Sequence, residues 1–203
     1  MEINQRDQLF KEINQQPMVA EELINKEFRK IESIVDKIDG DFDYVLIAAR
    51  GSSDNAARYA QYLFGLNNQL QVALATPSLF TLYSSSPKLH KALVISISQS
   101  GMSPDIIQIV KNANQQKCKT ICITNNADSP LANVSDFTIP IYAGKEQAIA
   151  ATKSYSASLV ALAMLSAILA KDKNFQVQIQ HIPTYLKITI QSALEKVDQV
   201  QRY

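Results

Sequence analysis

Ala92-Leu93-Val94-Ile95-Ser96-Ile97-Ser98-Gln99-Ser100-Gly101-Met102-Ser103-Pro104-Asp105 is the stretch whose reading decides the fold. Ala92 to Ile97 is β-rich and, Ser96 apart, apolar without alternation, the pattern of a strand buried on both faces. It runs into a loop of hydroxyls, an amide and a glycine. Ser103 then stands where a helix N-cap belongs, with Pro104 at the first helical position. Gly101 lets backbone approach a ligand closely, the unpaired N–H groups of a first helical turn face such a ligand, and the helix dipole favours negative charge there. The serines and Gln99 add neutral donors suited to an anion that is held and then released. One loop of this kind is equally an ordinary turn rich in capping residues. A second one decides between the two.

Upstream, Gly40-Asp41 ends a helical pattern and Tyr44 to Ala48 reads as another fully buried strand. It too runs into glycine and hydroxyls, Arg50-Gly51-Ser52-Ser53-Asp54-Asn55, ahead of a helix from Ala56 to Phe64. Leu70 to Ala75 is a second strand, followed by a Thr76-Pro77 break and a short helical piece at Leu79 to Tyr83. Ala92 to Ile97 is the third strand, Lys119 to Thr124 the fourth and Phe137 to Ile141 the fifth, with a helix at Ile106 to Asn114 between the third and fourth. Ala150 to Leu169 is a long helix, almost apolar all round, expected in a core or at a subunit interface, with the interface preferred. This alternation predicts an α/β protein, a three-layer αβα sandwich on a five-stranded parallel sheet. In the flavodoxin-like order 2-1-3-4-5 the ligand crevice opens at the carboxyl ends of strands one and three, the two strands that carry the Ser/Gly loops. Two polar clusters therefore converge on one anionic small-molecule site.

Outside this unit, residues 1–39 are expected to form an N-terminal helical hairpin packed on the domain. Its two patterns, Ile3, Leu9, Phe10 and Ile13, then Val19, Leu23, Phe28, Ile31, Ile34, Val35 and Ile38, are separated by Pro17. Residues 40–172 form the ligand-binding domain and 173–203 a C-terminal helix, with an amphipathic segment at Ile182 to Val200. A formal net charge of +1 over 203 residues gives no basic bias toward nucleic acid. The polar N-terminus and an apolar run, Leu159 to Ala170, too short to cross a bilayer give the expectation of a soluble, cytoplasmic protein with no membrane partner. Cys118 and Cys122 read as buried, reduced thiols, and no zinc spacing is present. His90 precedes strand three, at the wrong end of the sheet for chemistry, and His181 reads as an exposed linker histidine. The glycine patterns of dinucleotide and NTPase sites are absent, the loops carry hydroxyls where a response regulator carries carboxylates, and no aromatic partners mark a flavin site. No cofactor and no metal are expected. A sugar phosphate fits these loops.

Ala49 to Ala57, Ile97 to Asp105 and Ala143 to Ser154 together resemble, in order, the three signature segments of the sugar isomerase (SIS) domain family. The likeness runs from about Ile3 to Lys171 and is strongest to the isomerase half of glucosamine-6-phosphate synthase and to deaminase-type relatives acting on amino-sugar phosphates. It implies a hexose 6-phosphate, of the fructose 6-phosphate or glucosamine 6-phosphate class, with its phosphate on Ser98, Gln99, Ser100 and Ser103. It places Ser53 and the Gly51-Ser52 backbone beside the sugar, with Ile149 approaching from the loop before the last long helix. Met102 stands where many synthases have glutamate, which points toward the deaminase-like side.

Relatives of this kind carry two SIS repeats, with most proton-moving residues in the second, and nothing here resembles that repeat's Glu-Leu-Lys-His-Gly-Pro stretch. The segment 173–203 looks like a helix leading toward such a missing or separate second repeat. By family the activity is aldose–ketose isomerisation with amino transfer, or deamination. This chain is then the phosphosugar-binding half of that enzyme, or a single repeat that completes its site as a homodimer. The alternative is a non-catalytic phosphosugar-sensing or dimerisation module. Both reactions need a base beside a carbonyl. Glu146 is the candidate by loop position, and a structural role, paired on the surface with Lys145 or Lys153, is its other reading. Ser154 and Tyr155, at the start of the last long helix, lie near the site; Lys153 there reads as a phosphate contact or, as is commoner at a helix start, a solvated lysine, and Arg50 as closing over a ligand or pairing with Asp54.

Overall fold

The computed structural model describes residues 5–38, 40–83 and 85–200, and its sheet follows from five short apolar runs. β1 (Tyr44–Ala49), β2 (Gln71–Leu74), β3 (Ala92–Ile97), β4 (Lys119–Thr124) and β5 (Phe137–Pro140) form one parallel sheet in the order β2-β1-β3-β4-β5. Every residue of β3 is buried. Because side chains alternate across a strand, Leu93, Ile95 and Ile97 enter one core layer and Ala92 and Val94 the other. β1 divides the same way, with Val45, Ile47 and Ala49 on one face and Leu46 and Ala48 on the other.

Helices cover both faces, as parallel strands require. α1 (Gln5–Ile38), α2 (Ser52–Asn68) and α6 (Lys153–Leu169) contribute to the first core layer, and α3 (Pro77–Thr81), α4 (Pro104–Gln115) and α5 (Pro130–Val134) to the second. α4 buries Ile106, Ile109, Val110 and Ala113, one stripe at helical spacing. α7 (Lys173–Gln180) and α8 (Ile182–Val200) follow, α8 lying along α1. Cys118 and Cys122 are buried and free, and burial pushes the Cys122 thiol up to about 12.

Three expectations are corrected. The N-terminal segment is one helix, with Pro17 inside it, where a hairpin broken at Pro17 was expected. Proline costs a helix interior about 3 kcal/mol, and packing offsets it: Val19, Ala20, Leu23 and Ile24 beyond it are buried, and α1 lies against both α6 and α8. Ile3, residue 39 and residues 201–203 lie outside the described residues. The apolar helix α6 is core of this chain: Ala157 and Val160 to Ile168 are buried between α1 and α2, which accounts for its apolar circumference without a second subunit. The C-terminal segment is two helices, broken at His181, an exposed residue that closes α7. No helix among the described residues is long and apolar enough to cross a membrane.

Candidate functional site

β1 and β3 are adjacent, with Ala49 in register with Ile97, so the loops that leave them open side by side at the carboxyl edge of the sheet. Gly51 sits at φ 57°, ψ −132°, a backbone that favours glycine, and turns the chain directly into α2. In the β3–α4 loop, Gly101 is at φ 64°, and a Cβ there would lie 2.1 Å from Ser129 Oγ and 2.4 Å from Ser129 Cβ. The loop is braced from within: Gly101 N donates to Ser98 Oγ at 3.2 Å, Met102 N donates to Ser100 Oγ at 3.3 Å, and Ser98 Oγ lies 3.5 Å from Ser103 Oγ. Ser103 caps α4 by its backbone position, with Pro104 next.

The same loop is clamped by the chain that follows β4. Leu131 N donates to Gly101 O at 3.1 Å and Asn125 N to Gln99 O at 3.0 Å. The Asn125 side chain reaches the other way, donating to Gly144 O at 2.7 Å and accepting from Ala143 N at 2.8 Å. One asparagine thus ties the β3 loop to the loop that leaves β5.

A cleft of about 260 Å³ lies where these loops meet, lined by Ser52 and Ser53 of α2, Gln99, the β5–α6 residues Glu146, Ala148, Ile149 and Ala151, and Ser154, Tyr155 and Ser158 of α6. Of the residues singled out from sequence, Ser52, Ser53, Gln99, Glu146, Ile149, Ser154 and Tyr155 are on its wall. Gly51, Ser98, Ser100 and Ser103 stand in the two adjoining loops, Ser98 buried and Ser100 exposed. Ile149, 90% exposed, stands at the rim. Ala148, Ala151 and Ser158 were missed, although Ser158, one turn after Ser154, had to share its helix face.

The charged groups are placed differently from the expectations. Glu146 Oε1 accepts from Thr152 N at 2.9 Å, Thr152 Oγ1 at 3.2 Å and Ser154 N at 3.3 Å, and Oε2 accepts from Ser154 Oγ. Its carboxylate closes the loop onto the start of α6 and pairs with neither lysine. Lys153 is 5% exposed, not solvated, its ammonium donating to Gln15 Oε1 at 2.8 Å and Lys145 O at 2.9 Å. Arg50 pairs with Asp105 at 3.0 Å across the two loops, while Asp54 pairs with Arg58. Glu12 of α1, fully buried, accepts from Gln147 N at 2.6 Å, Gln8 Nε2 at 2.6 Å and Ala148 N at 3.2–3.3 Å. Burial alone pushes this carboxyl up, but those donors and the Lys153 charge outweigh it and hold it below its ordinary value of 4.5.

Fold and cleft together define a doubly wound α/β protein with a polar cleft at its topological switch point. The SIS domain profile matches residues 43–168, and the chain belongs to that family. It is 34% identical over 170 residues to glutamine–fructose-6-phosphate aminotransferase (isomerizing) of Bacillus thuringiensis subsp. konkukian, an alignment that covers 81% of this chain and 28% of that protein. A Silicibacter pomeroyi DSS-3 structure assigned as a phosphosugar isomerase superposes with a TM-score of 0.86 at 35% identity, covering 89% of this chain and 56% of that one. The C-terminal domain of glucosamine-fructose-6-phosphate aminotransferase from Francisella tularensis gives 0.77 at 25%, covering 96% and 57%. The chain thus spans under a third of the curated relatives it matches and somewhat over half of these solved structures.

Proposed function

We propose that this chain is a phosphosugar-binding unit that takes a hexose 6-phosphate of the fructose 6-phosphate or glucosamine 6-phosphate class. Ser98, Gln99, Ser100 and Ser103 hold the phosphate at the start of α4, with Gly51, Ser52, Ser53 and Ile149 beside the sugar. The observation that carries this reading is that Ser53, in the first turn of α2, and Gln99, in the β3–α4 loop, follow adjacent parallel strands and line one cleft. Hydroxyls, an amide and a helix N-terminus at that point form a neutral donor set for a phosphate ester. Resemblance to aminotransferase and isomerase relatives supports the substrate class.

In this reading the chain anchors and orients the substrate of an amino-sugar-phosphate isomerase or deaminase in the cytoplasm, as a homodimer or with a second repeat. Anchoring lowers the entropic part of the barrier, and a proton is then moved beside the carbonyl. One observation favours the binding-module alternative: the carboxylate on the cleft wall, that of Glu146, is engaged by four donors and so serves as a brace rather than a ready base.

Titration with glucosamine 6-phosphate and fructose 6-phosphate, followed by thermal shift and by NMR of the sugar, tests both. Saturable stabilisation that disappears in Ser98→Ala/Ser100→Ala is expected, and turnover separates catalysis from sensing. A shift of the same size in the double variant refutes the phosphate assignment.

A further inference from the structure

The loop between β5 and α6 supplies Glu146, Ala148, Ile149 and Ala151 to the cleft, yet it has no regular secondary structure of its own. Backbone N–H groups in such a segment need partners, and where those partners sit decides where the loop sits. α1 supplies them. Tyr142, at the start of the loop with φ 53°, donates its hydroxyl to Glu27. Gln147 N and Ala148 N, in the middle, donate to Glu12. Lys153, at the end, donates to Gln15 and to Lys145 O.

None of these α1 residues lines the cleft. Nor does α1 need a carboxylate at position 12 to stay on the domain, since Val19, Leu23, Ile24, Ile31 and Ile38 already bury its apolar face. Removing a charge from water is costly, so a fully buried Glu12 is compensated by what it holds.

We propose that Glu12 is a positioning residue: across 135 residues of chain it fixes the β5–α6 loop so that Glu146, Ala148 and Ile149 meet the sugar of a ligand whose phosphate is held separately by the β3–α4 loop. This rests on the ligand reading above and adds a division of labour to it. Glu12 governs recognition of the sugar and is indifferent to the phosphate.

The test compares wild type, Glu12→Ala and Glu12→Gln by hydrogen exchange at Gln147 and Ala148 and by calorimetric titration with glucosamine 6-phosphate and with inorganic phosphate. Glu12→Ala is expected to speed exchange at the two amides, leave exchange in β3 and β4 unchanged, and weaken glucosamine 6-phosphate about tenfold to a hundredfold. Inorganic phosphate should stay within about twofold of wild type, since none of the β3–α4 donors is touched. Glu12→Gln keeps one acceptor oxygen and should fall between the two, and it carries the same comparison if Glu12→Ala does not fold. Equal weakening of both ligands, or a flat order among the three proteins, overturns the proposal. So does unchanged exchange at Gln147 and Ala148, with or without ligand. If wild type binds neither compound, the ligand reading itself falls and the sugar-side role falls with it, a result told apart by its appearance before any substitution.

Discussion

Arg50 Nη1 donates to Asp105 Oδ2 at 3.0 Å and so joins the loop leaving β1 to the first turn of α4, 55 residues further on. The arginine is 67% exposed, whereas the aspartate is largely covered. A pair whose cation is this exposed contributes about 1 kcal/mol or less to stability, so its value lies in where it puts that cation. Arg50→Ala should leave the urea midpoint almost unmoved. It should weaken a hexose 6-phosphate about threefold to tenfold at low ionic strength, an effect that shrinks as salt screens the charge. Calorimetry at two salt concentrations checks it; a salt-independent loss would point to a collapsed loop instead.

Gly101 has a steric reason to be glycine. Its φ of 64° costs a residue with a Cβ about 1–2 kcal/mol. The added methyl would also overlap the fully buried Ser129 at 2.1 and 2.4 Å. Gly101→Ala should therefore destabilise by roughly 2–4 kcal/mol in urea unfolding. Pairing it with Ser129→Gly, which removes the overlapping atoms, should recover part of that loss, and a double-mutant cycle with no coupling would show that Ser129 is not the obstacle.

The strands and the switch point were legible because each rests on local pattern: Ala92–Ile97 and Lys119–Thr124 form strands with the bounds read from sequence. What failed needed the partner in space. Pro17 obeys the rule for breaking a helix until the burial of Val19, Ala20, Leu23 and Ile24 against neighbouring helices outweighs it. α6 looked like an interface because a helix apolar all round needs cover, and the sequence does not show that α1 and α2 provide it. Ser52 and Ser53 announced themselves by their neighbours, while Ser158 and the bracing residues did not. Glu12 and Asn125 look like any surface glutamate and turn asparagine until the loops they hold are folded beside them. One sign was available: Glu12 lies three residues after Leu9 and beside Ile13, a carboxylate on the apolar side of its helix.

Asn125 is the point where two of the site's loops meet. Its backbone N–H serves Gln99 O and its side chain serves Ala143 N and Gly144 O. Asn125→Ala keeps the first bond and deletes the other two, leaving the N–H of buried Ala143 unpaired. A loss of about 1–3 kcal/mol is expected by urea unfolding. Asn125→Asp keeps an acceptor for Ala143 N but loses the donor to Gly144 O, and should cost less than alanine. An alanine variant as stable as wild type would mean that water replaces both bonds.

The acid limb of stability should carry the signature of Glu12. Its folded carboxyl titrates below the ordinary value of 4.5, with burial opposing the shift and the N–H of Gln147, the Gln8 amide, the N–H of Ala148 and the Lys153 charge outweighing it. A group whose folded pKa is depressed stabilises the native state fully above its unfolded pKa, and that contribution fades as pH falls through the folded one. Glu12→Gln cannot titrate. Its stability deficit relative to wild type should therefore be largest from about pH 5 upward and close progressively as the pH drops below about 4.5. Urea unfolding of both proteins at pH 7, 5, 4 and 3 measures the gap. A deficit constant across that range would mean that the charge on Glu12 contributes nothing beyond the hydrogen bonds that glutamine also accepts, and a deficit that widened in acid would reverse the sign of the linkage altogether.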